Sequence, residues 1–105
     1  MTTDLFNDFQ RQTWINATQK MGKAQLLKLL NDSSRVLIAY KNILQDASIN
    51  EWPSFEWTVE CQVRHQLLIA QMMQSDRDVV RQKLLDTCEE YVAVRKQIAK
   101  KLKNG

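Results

Sequence analysis

Apolar side chains recur along this chain at alternating spacings of four and three residues, the period of one face of an α-helix. The pattern is strongest from Lys23 to about Gln45, where Leu26, Leu30, Ser33, Leu37, Tyr40 and Leu44 form a stripe and Leu29, Val36 and Ile43 repeat every seven residues beside it. Asn31, Asp32, Ser33 and Ser34 favour caps and turns, but the stripe keeps its phase across them, which predicts one continuous helix. A second strong pattern, Val80, Leu84, Thr87, Tyr91, Val94 and Ile98, is flanked by Cys88 and Leu102 and predicts a helix to about Lys101. Ser75 with Asp78 three residues on reads as its capping box, Asp replacing Glu, and Asp76 suits the positive end of the helix dipole.

Before Lys23 the pattern is looser. Thr3 or Asp4 can cap a first helix running to about Lys20, in which Phe6, Phe9, Thr13, Ala17 and Met21 fall at spacings of three and four. Gly22 is expected to stop it, because glycine tolerates the left-handed backbone that follows many helix ends. The stretch from Asn50 to Trp57 holds the sole proline, Pro53, with Trp52, Phe55 and Trp57, and stands between helical patterns as the corner where the chain reverses. Beyond it Phe55, Trp57, Val59, Cys61 and Val63 alternate with polar residues, the period of a strand. A strand needs a neighbour, and the other candidate, Arg35 to Ile43, alternates poorly. The prediction is therefore a helix from near Pro53, since proline is acceptable in a first turn. Its stripe is Val59, Val63, Gln66, Ala70 and Met73, and Leu67, Leu68, Ile69 and Met72 widen the face until it nearly encircles the helix, implying burial on more than one side.

A short N-terminal helix and three long ones with tight connections make an all-α, up-down bundle of four helices. Composition agrees, because two glycines and one proline in 105 residues leave little turn chemistry for a sheet. A hydrophobic content of 44% is enough for one core, so residues 1–105 are expected to form a single domain without internal repeats. No run approaches the roughly 18 apolar residues of a membrane span, and no charged-then-apolar leader opens the chain. A cytoplasmic protein that does not enter membranes is the expectation, with Cys61 and Cys88 as reduced, buried thiols.

The net charge of +3 is unevenly spread. Acids outnumber bases by four from Glu51 to Glu90, whereas the last fifteen residues carry Arg95, Lys96, Lys100, Lys101 and Lys103 and no acid. That basic patch can contact phosphates, each worth about 0.9 in the salt slope. Cations at a helix C-terminus also complement its dipole, and no aromatic is interleaved as a stacking platform. A helix-turn-helix reading of Gln25 to Lys41 is a weak match, because Asp32 falls where an apolar residue is needed and Val36, Leu37 and Ile38 stand where bases would be read.

Catalytic constellations are missing as well. There is one His, no Gly-rich phosphate loop and no nucleophile elbow, and Glu56 with Glu60 is an ordinary pair four apart. Cys61 and His65 share a helix face but make half a metal site, with Cys88 and Glu89 the sole candidates for the rest, so no metal or cofactor is expected. Protein recognition remains. Trp52, Phe55 and Trp57 are residue types enriched in interface cores, and on a helix Phe55 and Trp57 would point about 200° apart, leaving one for a partner. The alternative for Trp57 is packing on the N-terminal helix with Trp14. The sequence thus points to a non-enzymatic protein-interaction module, in concrete form a small regulator or inhibitor of a larger nucleic-acid-processing protein. Direct nucleic-acid binding by the basic C-terminal helix is the alternative, and a homodimer through the apolar surface of Leu67 to Met73 is a further expectation.

Overall fold

The computed structural model describes residues 10–45 and 57–104, with side chains through Leu102. The described residues form an all-α bundle of four helices: α1, Arg11–Thr18; α2, Lys23–Leu44; α3, Val59–Met73; and α4, Arg77–Asn104. None of these residues is in a strand. At about 1.5 Å per residue α4 is about 42 Å long, and it sets the longest dimension of a body measuring 43 × 30 × 20 Å.

α2 and α4 are the central pair, with α3 against α2 and α1 against α4. Their stripes are those of the sequence. Leu26, Leu30, Val36, Leu37 and Tyr40 from α2 are buried with Val80, Leu84, Cys88, Tyr91, Val94 and Ile98 from α4 in one core. Lys41 pairs with Glu90, Tyr40 meets Tyr91 edge-on at 5.7 Å, and Lys101 reaches the Leu44 carbonyl. Positions therefore advance together, and α2 and α4 run parallel, with α1 and α3 antiparallel to them, as an up-down order requires. α2 is unbroken across Asn31 to Ser34, and the two serines there are satisfied within the helix. The buried Ser33 and Ser34 hydroxyls donate to the Leu30 and Asn31 carbonyls at 3.2 and 3.3 Å, so neither competes with the helical bonds.

Several local expectations are corrected. Gly22 does not end α1 in a left-handed conformation; its φ is −74° and ψ 163°, and it is the N-cap of α2. In α1 the inward side is Trp14 and Thr18, while Thr13 and Ala17 are exposed, so within the helix the inward face is turned by one residue from the predicted stripe; Met21, beyond the helix, packs on the core as predicted. The predicted starts at Thr3 or Asp4 and near Pro53 lie outside the described residues. Trp57 and Thr58 are non-helical, and α3 opens at Val59 with Thr58 as N-cap, its hydroxyl accepting from the Cys61 amide at 3.1 Å. The α4 cap falls one residue later than expected. Asp76 supplies the first carbonyl to Val80 N–H at 3.1 Å, whereas the Ser75 hydroxyl turns back to the Gln71 carbonyl of α3.

Helix ends are closed by cations from neighbouring helices. Arg77 donates to the Met21 and Thr18 carbonyls at 2.7 and 3.0 Å, and Arg81 to the Ile15 carbonyl and Thr18 hydroxyl at 2.7 and 3.0 Å, so two arginines of α4 clasp the end of α1. Lys23 does the same for Met73 at the end of α3, at 2.7 Å, and Lys101 for Leu44 at the end of α2, at 2.6 Å. Each supplies donors to carbonyls at or just past a helix end and places positive charge at the negative end of a dipole.

Candidate docking face

The aromatic corner is represented among the described residues by Trp57, since Trp52 and Phe55 lie outside them. Trp57 is half-buried and tied to both α2 and α3. Its indole N–H donates to the Gln62 side-chain oxygen, the Arg35 guanidinium sits 4.8 Å from its ring centre, and His65 meets it edge-on at 5.6 Å. His65 in turn donates from Nε2 to the Asn31 carbonyl at 3.1 Å. The ring therefore helps join the start of α3 to α2, while Trp14 lies against the main core. Because Trp57 precedes the helix, the 200° divergence expected between it and Phe55 does not apply.

The basic residues of α4 divide by role. Arg95 folds back along its own helix, 3.2 Å from the Tyr91 hydroxyl, and Lys101 is the closure on α2. Lys96 and Lys100 are exposed, four residues apart on the side of α4 away from the core. The side chain of Lys103 lies outside the described residues. Glu60 pairs with Arg64 one turn along α3, and among the described residues no three His, Cys, Asp or Glu side chains gather as around an ion. Cys61 and Cys88 are both buried and unpaired with each other. Burial pushes the Cys88 thiol up to about 12 from its ordinary 9.0, with the Ser33 hydroxyl acting weakly the other way.

The most unusual surface is on α3. Its sequence holds two seams of helical spacing, one at Val59, Val63, Gln66, Ala70 and Met73 and the other at Cys61, His65, Leu68 and Met72. The second faces inward: Cys61 and Met72 are buried, and His65 and Leu68 are half-buried. The first, expected to be core, faces outward, so burial on more than one side is not what α3 shows. Val59 is 82% exposed, Val63 49% and Met73 61%, and Leu67 beside them is 67% exposed. Ala70, Gln66 and Gln74 are exposed on the same side. Both seams contain one polar residue, so hydropathy alone does not rank them. Bulk does not rank them either, because Val59, Val63, Leu67 and Met73 stand on one side against Leu68, Ile69 and Met72 on the other. A contiguous apolar strip of this kind, uncharged over four turns, is the surface type that marks association rather than solvation.

Among the described residues no helix is long and apolar enough to cross a membrane. No protein-family model matches the chain, and no curated protein or solved structure matches it either.

Proposed function

We propose that this protein is a non-enzymatic interaction module whose docking element is the outward face of α3. The observation that carries the reading is the exposure of Val59, Val63, Leu67 and Met73 along one side of a helix whose other side is packed on α2. With the exposed Ala70 between Leu67 and Met73 these side chains fall at spacings of four and three, which is what a groove or a second helix takes up. Of the expected anchors Trp57 stands two residues before the first side chain of this face, Val59. The cytoplasm is the compartment this reading assigns, consistent with two buried free thiols. In its concrete form the module regulates or inhibits a larger nucleic-acid-processing protein, with Lys96 and Lys100 steering it toward an acidic or nucleic-acid-bearing assembly.

Co-purification from the native host tests this with paired variants. Leu67→Lys is expected to remove the specific partner without lowering the melting temperature, whereas Lys96→Glu/Lys100→Glu retains it with slower association. Loss of the partner in neither variant would remove the α3 face from consideration.

Direct nucleic-acid binding is the second reading, favoured by the exposed Lys96 and Lys100 on one side of α4. A salt titration separates the two. Two phosphate contacts would weaken binding by roughly twelvefold between 50 and 200 mM salt, while apolar docking on α3 should change about twofold or less over that range.

A further inference from the structure

We infer that the occupant of the α3 face is a second copy of this chain, bound with its own α3 antiparallel across a two-fold axis near Gln66 and Leu67. The assignment rests on the docking face proposed above and names its occupant in the free protein, the second copy being what the larger partner would displace.

Three features carry it. The exposed positions 59, 63, 66, 70 and 73 alternate four and three over two heptads, the spacing along which a second helix can lie. A helix is what fits that seam. The strip is also uncharged from Val59 through Gln74, and the charges at its edge, Glu60 and Arg64, already pair with each other. A partner of opposite charge finds nothing there to complement, while a second copy brings no like charge to the seam's centre. Finally, an axis midway between Gln66 and Leu67 brings Val63 of one copy level with Ala70 of the other, a larger residue against a smaller one, twice by symmetry. Antiparallel helices also set opposed dipole ends side by side.

The area indicates a weak dimer. A helix of 15 residues is about 22 Å long, and its outward half presents roughly 500 Å², so two copies bury about 1,000 Å², the low end of specific interfaces. Such a contact belongs with weak, reversible associations, so the monomer and dimer are expected to interconvert with concentration.

Sedimentation equilibrium of the whole chain from 5 to 500 μM, with circular-dichroism melting of the same samples, is the experiment. The wild type is expected to pass from monomer to dimer, and Leu67→Lys and Val63→Lys to stay monomeric with unchanged melting temperatures at low concentration. Under oxidation the Val63→Cys/Ala70→Cys variant is expected to form a covalent dimer at least fivefold faster than Val63→Cys alone, since 63 lies level with 70 only in an antiparallel pair. The buried Cys61 and Cys88 do not compete. A wild type that stays monomeric, with the Leu67→Lys melting temperature unchanged, overturns self-association and leaves the face to another protein. A monomer whose Leu67→Lys variant melts several degrees lower shows a face covered within the chain, which overturns both readings. A dimer that survives both lysine substitutions, or faster cross-linking by Val63→Cys alone, overturns the α3 antiparallel contact.

Discussion

Arg77 and Arg81 illustrate how a charged residue can be structural without an acidic partner in the core. Together they supply the donors that the end of α1 lacks, reaching the Ile15, Thr18 and Met21 carbonyls. Hydrogen bonds to charged groups contribute about 1.5–3 kcal/mol when buried and less when part-exposed. Arg77→Ala should therefore cost about 1–2 kcal/mol in urea denaturation, and Arg77→Lys should recover less than half, because an ammonium cannot fork between carbonyls. By contrast the exposed pairs of Arg11 with Asp86 and Glu89 are expected to contribute no more than about 1 kcal/mol. Cys88 makes a different kind of prediction. Its folded value is raised, so the contribution of the neutral thiol is complete below the unfolded value of 9.0 and is lost as pH rises toward about 12. Stability measured at pH 8 and pH 10 should fall more in the wild type than in Cys88→Ala, and equal falls would exclude the thiol as the source. None of these roles is legible locally, since a sequence shows that a residue is basic or apolar but not which carbonyl or hydroxyl it will meet.

The helices themselves were legible where one face is apolar and the other polar. α2 and α4 have such faces, and the predicted stripes are the buried ones, from Leu26 to Tyr40 and from Val80 to Ile98. Boundaries were less so, because they depend on caps that several neighbouring residues could provide. Thr58 rather than a residue near Pro53 caps α3 among the described residues, and Thr58→Ala should destabilise by about 1 kcal/mol, or about 4–8 °C in melting temperature for a domain of this size. Gly22 is an N-cap with open space where a Cβ would stand. Gly22→Ser should raise the melting temperature by a few degrees, from a cap worth a few tenths of a kcal/mol and a less flexible unfolded chain. A fall instead would mean that Gly22 is needed for a backbone state other than the extended one it adopts.

Assembled, the molecule separates residues that look alike in one dimension. Leu84 is fully buried between α4 and α2, whereas Leu67 projects outward from α3. Leu84→Ala is expected to cost about 2–5 kcal/mol through lost burial and a residual cavity, and Leu67→Ala less than about 0.5 kcal/mol; thermal melts at low protein concentration check both. The same assembly divides the basic C-terminal residues, turning Lys101 into a helix closure and leaving Lys96 and Lys100 to solvent. Periodicity was sufficient for four helices in alternating directions, because amphipathicity and the shortage of turn residues are properties of the chain taken a few turns at a time. Which of two equivalent seams of α3 faces α2, which helix end each arginine and lysine closes, and which apolar strip remains for a partner depend on neighbours far apart in sequence. Those were decided when α3 found one side of α2 to pack against and kept its other side outside.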